Sequence, residues 1–534
     1  METARRELEE IKAKAAGAVG AHEASIFEAQ LLMLTDPELL GRARKAIETE
    51  SLTAEEALER SGRELAAVLE DLPDDYLRAR AADLKDVVGR VLAALGDRRR
   101  VHPLAALERP VVVVSDELLP TDTVLMDRKN VAGLVTEAGT PTSHVAILAR
   151  TMGVPAVVGA RGVAGSVRSG EILIADGTSG TVVAGAGPDE VRRWRSREHA
   201  RRASEKSLRS QAGLPAVTLD GHRVRLEANI GVPADLEAAL AFGAEGVGLF
   251  RTEFLFMGRD SLPSEDEQFE VYRDCLTAMA GRPLVVRTLD AGGDKPLPIP
   301  GLEAGPNPFL GVRGLRLSLD RQDMFLVQLR ALLRAAAAAP PGQTQLRVMF
   351  PMVADPGEVD AARRLLALAA EQLDRQGVAR SPVAVGVMVE VPAAAVLADL
   401  LMEQVDFVSL GTNDLAQYVM AADRTNSRVA HLVDALHPAV LRLVKAVVDA
   451  GRRACKPVAV CGDLAGDAEA VPILVGLGVE ELSMAPPLLP RVKAAVRALS
   501  RARAEELARR ALRCRTAAEV RDIVAAEAGP AVRD

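Results

Sequence analysis

His144 stands in the run Glu137-Ala138-Gly139-Thr140-Pro141-Thr142-Ser143-His144-Val145-Ala146-Ile147-Leu148-Ala149-Arg150, a Gly/Pro loop that leads into an apolar helix. Thr142, Ser143 and His144 fall in the predicted first turn. Backbone N–H groups lack helical acceptors there, and the helix dipole favours an anion by about 0.3–1 kcal/mol. A neutral imidazole is a nucleophile and titrates near neutrality. The loop therefore suits a histidine that carries a phosphoryl group among amides and hydroxyls. Taken alone, a histidine at a helix start is more often a cap or a surface residue, so the choice turns on whether the rest of the chain supplies a donor.

A second set of reactive residues lies at the ends of apolar runs. Gly248-Leu249-Phe250-Arg251 and Val285-Val286-Arg287 each end in arginine, Arg313 follows a similar run, and Arg424 closes Ala421-Ala422-Asp423-Arg424. Planar guanidinium groups match carboxylate and phosphate oxygens, so these four suit a small, multiply charged anion. Gly386-Val387-Met388-Val389-Glu390 and Ser409-Leu410-Gly411-Thr412-Asn413-Asp414 end in hard oxygen ligands. Two carboxylates completed by substrate oxygens and water suit Mg²⁺. Cys461 is the one cysteine at the end of such a run, where an acid can reach a substrate carbon. Any one of these residues has an ordinary reading as a surface ion pair or helix cap; their repetition in the same place does not.

The elements that must hold these residues can be read from periodicity. Apolar runs at 224–229, 246–250, 284–288, 346–351, 383–390, 407–411 and 458–461, with another expected near 309–313, alternate with helical segments. That pattern predicts a (β/α)₈ barrel with its chemistry on the C-terminal face. A doubly wound open sheet is the alternative, but it gathers ligands at one switch point. Residues 1–101 read as helices throughout. Thr35-Asp36-Pro37 breaks one helix and caps the next, and Thr53 with Glu56 has the spacing of a capping box. Short strands punctuated by Gly and Pro, with a helix near His144, predict a small α/β domain over 102–187. Residues 188–213 read as a charged linker helix and 214–534 as the barrel.

Composition narrows the class. With a formal net charge of −8, nothing points to nucleic acid or an anionic membrane. The four cysteines form no CxxC pair, which excludes a disulfide framework or a zinc ribbon. No apolar run approaches the roughly 20 residues needed to span a bilayer, and the first thirty residues lack a signal-peptide core. A cytoplasmic protein is the expectation.

The histidine loop resembles the phosphohistidine signature of the phosphoenolpyruvate-utilising enzymes, in which Gly-Gly-x-Thr-Ser-His leads into an Ala-rich helix; Thr140 replaces the second glycine. The match continues through Gly153–Gly159 and Ile174–Gly180. Leu219-Asp220-Gly221-His222, Ala228-Asn229-Ile230-Gly231, Gly243–Leu249, Gly292-Gly293-Asp294-Lys295 and Ala421-Ala422-Asp423-Arg424 are similar to the barrel of the phosphoenolpyruvate–protein phosphotransferase family, enzyme I of the bacterial sugar phosphotransferase system. The similarity covers essentially the whole chain. At Ala24–Leu34 and Asp74–Asp86 the N-terminal helices resemble that family's docking subdomain for the phosphocarrier HPr.

The resemblance implies that Arg251, Arg287, Arg424, Asn413 and Asp414, with Arg313 and Lys295, hold phosphoenolpyruvate, and that Glu390 and Asp414 bind Mg²⁺. His144 would take the phosphoryl group and pass it to a histidine of HPr. Cys461 would protonate the pyruvate enolate, and the barrel would form a homodimer. Pyruvate phosphate dikinase and phosphoenolpyruvate synthase share the loop and barrel but need an ATP-binding domain, for which no glycine-rich nucleotide loop is present. The nitrogen-related paralogue adds an N-terminal sensory domain, which is also absent. A catalytically impaired, N-terminally short regulatory or scaffold form is the remaining alternative, because the family opens with a Gly/Pro-containing strand and this sequence opens in helix. That difference predicts a His144 domain less stable than one extended upstream.

Overall fold

In the computed structural model, which describes residues 2–18, 27, 30–70, 75–96, 103–105, 107–118, 120–139, 144–257, 259, 261–292, 307–339, 345–426 and 428–527, the chain divides into two units, Met1–His199 and Ala200–Asp534. The second unit is built on eight parallel strands: β6 (Arg225–Ile230), β7 (Val247–Arg251), β8 (Leu284–Arg287), β9 (Leu346–Phe350), β10 (Ala384–Val389), β11 (Phe407–Leu410), β12 (Val458–Val460) and β13 (Glu481–Met484). They pair in sequence, and β13 returns to β6, which closes the barrel. Alternation along each strand divides two cores. Leu226, Ala228 and Ile230 pack with helix residues such as Leu236 and Val440 outside the barrel. Leu249, Val285, Met349, Met388, Phe407 and Cys461 form a separate apolar layer within it. Helices fix the outer wall with strong caps: Ser264 and Glu267 make a reciprocal capping box before Glu265–Met279, and Asp355 accepts from Gly357 N and Glu358 N before Pro356–Arg375.

The expected barrel is present, but one expected strand is not. Pro308–Leu310 is a single 3₁₀ turn. Leu310 and Val312 are 67% and 51% exposed, so this apolar run has no neighbour to pair with. The eighth strand is β13, whose inward Glu481 hid it from a search for apolar runs. Arg225 pairs with Glu481, and Arg347 lies 3.9 Å from it, so the barrel interior tolerates the carboxylate.

Beside Glu481 lies Glu227, 1% exposed, with Oε1 lacking a hydrogen-bond partner. Burial, reinforced by Glu481, pushes the Glu227 carboxyl up to about 8. A folded-state value above the unfolded one means that the fold retains a proton which the unfolded chain loses above its ordinary value of 4.5. Stability from this group therefore falls as pH rises through that window toward 8. Glu227→Gln removes the titration. It is expected to raise the melting temperature of the barrel relative to wild type more at pH 8.5 than at pH 5; an equal shift at both values would contradict the assignment.

The first unit holds helices Glu2–Ala18, Pro37–Glu50, Ala54–Glu70 and Asp75–Leu95 around Leu8, Phe27, Leu39, Ala57, Leu84 and Val87. Asp36 caps the second of these through Glu38 N and Leu39 N. The expected capping box forms before Ala54–Glu70: Thr53 N donates to Glu56 at 3.0 Å, and Glu56 N donates to Thr53 Oγ1 at 3.2 Å. The expected segment Ala24–Leu34 lies only partly within the described residues. In the same unit, β1 (Val111–Ser115), β2 (Val131–Thr136) and β3 (Ala156–Val157) form a parallel sheet, and β4 (Leu173–Asp176) and β5 (Thr181–Ala184) an antiparallel pair. Helix His144–Met152 connects β2 to β3 and packs Val145, Leu148 and Ala149 under the sheet with Val113 and Leu134. The charged helix Pro188–Ser210 contains the division between the units. No described helix is long and apolar enough to cross a membrane.

Candidate functional site

The C-terminal ends of the barrel strands carry a chain of alternating charge. Arg287, the last residue of β8, meets Glu253 on one side and Asp290 at 3.1 Å on the other. Asp290 in turn accepts from Arg313 Nη2 through both oxygens at 3.1 Å. Arg313 Nη1 donates to Asp414 at 3.2 Å, and the other oxygen of Asp414 lies 3.3 Å from Arg424 Nη1. Burial alone would lower the Arg287 and Arg313 guanidiniums; their flanking carboxylates outweigh it and hold both above the ordinary arginine value. Two glycines permit the crowding. Gly292 has φ +108°, and a Cβ there would lie 2.6 Å from Arg313 Cβ; Gly314 has φ +57°, and a Cβ there would lie 2.7 Å from Met352 Cβ.

Six residues in this arrangement were not singled out from sequence. Glu253 and Asp290 are buried carboxylates that fix the arginines. Tyr418 donates to Phe309 O and accepts from Arg313 Nη1 at 3.4 Å, and the Phe309 ring faces both Arg313 and Arg424 at 5.8 and 5.6 Å. Met352, with φ +58°, aims its N–H at Glu390 Oε1 at 2.8 Å, a strained backbone spent on one carboxylate. Asn229 donates to Cys461 O at 2.9 Å. The signal for Asp290 was present, three residues beyond a strand-end arginine. Removing Asp290 leaves two buried arginines undercompensated, so Asp290→Ala is expected to cost about 3–5 kcal/mol of barrel stability. Chemical denaturation checks this; an unchanged midpoint would mean the arginines re-pair.

The residues expected from sequence fall as follows. Arg251 ends β7 half-buried and, among the described residues, has no carboxylate partner, which leaves its guanidinium for a ligand. Arg287, Arg313, Asp414 and Arg424 belong to the charged chain. Arg313 is fully buried with both terminal nitrogens engaged, so in this arrangement it orients Asp414. Asn413 accepts from Asp463 N at 2.9 Å and so joins the loops after β11 and β12. Glu390 is buried just past β10; burial, then Asp414 and Asp290, push its carboxyl up to about 8. Cys461 follows β12, with its N–H on Leu410 O at 3.1 Å, its carbonyl held by Asn229, and Ser483 donating to Asn229 Oδ1 at 2.7 Å. Burial pushes its thiol up to about 11. Lys295 lies outside the described residues. His144 opens its helix in the other unit, its side chain outside the description, as are Thr140, Thr142 and Ser143.

Among the described residues no three His, Cys, Asp or Glu side chains converge on a metal position. The Glu390–Asp414 repulsion that adds to burial in raising the Glu390 carboxyl is nevertheless what a divalent cation would offset. Two carboxylates leave coordination positions that a hard divalent cation would fill with water and substrate oxygens. The residues present therefore fit such an ion. Together the site can hold a small anion bearing carboxylate and phosphate groups, and can deliver a proton from a neutral thiol.

Three family profiles tile the chain: "PEP-utilising enzyme, N-terminal" over residues 1–80, "PEP-utilising enzyme, mobile domain" over 107–180 and "PEP-utilising enzyme, PEP-binding domain" over 205–501. The sequence is 46% identical over 521 residues to a phosphoenolpyruvate-protein phosphotransferase of Geobacillus stearothermophilus, covering 97% of this chain and 89% of that protein. It is 42% identical over 517 residues to that of Bacillus subtilis strain 168, covering 97% and 90%. A solution structure of an enzyme I protein matches 38% of the chain and 81% of its own length, at 38% identity and a TM-score of 0.31.

Proposed function

The chain belongs to the phosphoenolpyruvate-protein phosphotransferase family, and we propose that it works through His144, which takes the phosphoryl group of phosphoenolpyruvate and passes it to a histidine of HPr. The observation that carries this reading is the convergence at one barrel end of Arg251, without a carboxylate partner among the described residues, the charged chain from Glu253 to Arg424, the repelling pair Glu390 and Asp414, and the neutral thiol of Cys461. Arg251, Arg287 and Arg424, with Asn413, Asp414 and Lys295, bind the substrate's carboxylate and phosphate. Arg313 serves them by holding Asp414 in place. Glu390 and Asp414 hold Mg²⁺, which when bound neutralises charge on the transferring group.

A neutral His144 nitrogen attacks phosphorus in line with the bridging oxygen. The oxygen–phosphorus bond breaks, and pyruvate leaves as its enolate. The Cys461 thiol then gives its proton to the methylene carbon. A thiol of ordinary acidity would ionise more readily; burial keeps this one protonated at neutral pH. Residues 1–101 dock HPr, 102–187 carry His144, 188–213 link, and 214–534 bind substrate and pair two chains into a dimer in the cytoplasm. One histidine serves two partners in turn, so the segment that carries it moves between them.

Incubation with Mg²⁺ and phosphoryl-labelled phosphoenolpyruvate is expected to leave acid-labile, base-stable label on the chain that HPr then removes. Absence of label would overturn the assignment. Label that HPr does not remove would overturn only the acceptor.

A further inference from the structure

Away from the strand ends that carry the chemistry, a cavity of about 430 Å³ opens in the second unit where the segment after helix Pro188–Ser210 meets the turn before β7. Its lining mixes apolar groups such as Leu214, Pro215, Leu240 and Ala244 with the charged groups of Arg223, Arg282, Lys493 and Glu245. Arg223 pairs with Glu245 at 2.6 Å. Among the described residues the other two cations have no such partner. Lys493 is only 2% exposed; its ammonium donates to Ala212 O and, at 3.2 Å, to Gly243 O, and among the described residues no carboxylate lies at ion-pair distance. Arg282 makes one bond, to Met279 O at 3.3 Å, and likewise has no carboxylate partner there.

A buried ammonium with only neutral acceptors is costly, because two carbonyls do not replace a counter-ion. Burial lowers the Lys493 ammonium; Glu245 pulls against that from beyond ion-pair distance, and Arg497 adds to the lowering. The joint around it is fixed: Gly243 has φ +87°, and a Cβ there would lie 2.2 Å from Ala212 O. The cavity thus presents two excess positive charges on a rigid frame, with one ammonium N–H and the Arg282 fork left to donate.

We infer that this cavity is a binding site for a compact dianion, a phosphate-type oxyanion or a short dicarboxylate, held between Lys493 and Arg282. Occupancy would tie Ala212, just beyond the linker helix, more firmly to the barrel, because the anion bonds the same ammonium that holds the Ala212 carbonyl. The site is separate from the arginines assigned to phosphoenolpyruvate, and the inference does not depend on their roles.

Crystals of the whole chain soaked in selenate, followed by inorganic phosphate or succinate in separate arms, test it. An anomalous selenium peak at ion-pair distance from Lys493 Nζ and Arg282 is expected, and whichever anion displaces it identifies the ligand class. Calorimetric titration of Arg282→Gln with that anion should show the cavity component weakened about tenfold, as loss of one charge-assisted contact implies. Phosphoenolpyruvate turnover should be unchanged. Arg282→Gln keeps the Lys493 clamp, whereas Lys493→Gln removes the clamp with the charge and could unfold the joint; Arg282→Gln therefore decides. Selenate found only at the strand-end arginines, displacement by neither anion, or identical titrations of wild type and Arg282→Gln would overturn the site and leave Lys493 as a clamp alone.

Discussion

His144→Ala is expected to abolish transfer of label from phosphoenolpyruvate both to the chain and to HPr, while leaving phosphoenolpyruvate affinity within about twofold of wild type. The two readouts separate because the groups lie in different units: His144 within Met1–His199, and Arg251, Arg287, Asp414 and Arg424 within Ala200–Asp534. Alanine at 144 is a good helix former, and among the described side chains the buried residues of its helix are Val145, Ala146, Leu148 and Ala149, which the substitution leaves in place. A nucleophile cannot be replaced by proximity alone, so no slow residual transfer is expected. Equilibrium binding of phosphoenolpyruvate measured beside phosphoenzyme formation checks both parts. Retained label in the variant would mean that another residue takes the phosphoryl group; lost affinity would mean that the unit folds wrongly.

Cys461→Ala is expected to slow pyruvate formation by about 10²–10⁴-fold, the range for removing a positioned general acid. The side chain is 2% exposed, and its backbone is fixed at both ends, by Leu410 O and by Asn229. The reacting sulfur therefore has little freedom, and water has little access to replace it. Alanine removes one sulfur atom from the layer shared with Leu249, Val285 and Met349, so the fold should survive. The thiol titrates near 11 in the fold, and its protonated form is the competent one. Its ionisation therefore contributes no loss of rate between pH 6 and 9; any decline there belongs to another group. Pyruvate release with HPr in excess, and deuterium uptake into the pyruvate methyl in heavy water, are the measurements. An unchanged rate and unchanged uptake would exclude Cys461 as the acid.

Much of this arrangement was legible in the sequence because its strands are apolar runs that end in one reactive residue. Arg251, Arg287, Glu390 and Cys461 could be placed at strand ends from pattern alone, since Val, Leu and Phe before them leave few other readings. Where burial is polar, the pattern fails. β13 carries Glu481 inside the barrel, compensated by Arg225 from β6 and Arg347 from β9, residues distant in sequence. Phe309-Leu310-Gly311-Val312 misled for the opposite reason: it is apolar and yet exposed at Leu310 and Val312, with the Phe309 ring set beside two arginines. Asp290 and Glu253 escaped notice because a carboxylate near an arginine is ordinary in sequence. Only the fold shows that Asp290 links Arg287 to Arg313, with Glu253 closing the chain of charge at Arg287. Met352 gave no signal at all, since nothing in its identity announces a positive φ.

The central claim is that the phosphoryl group rests on His144, and site mapping of the phosphorylated chain tests it most directly. The protein is charged with phosphoenolpyruvate and Mg²⁺, digested at alkaline pH to preserve phosphohistidine, and sequenced by fragmentation mass spectrometry. The phosphoryl group is predicted on the imidazole of His144 and on no other residue, and lost after addition of HPr. A phosphoryl group located at any other histidine, or on an aspartate or serine, would contradict the account.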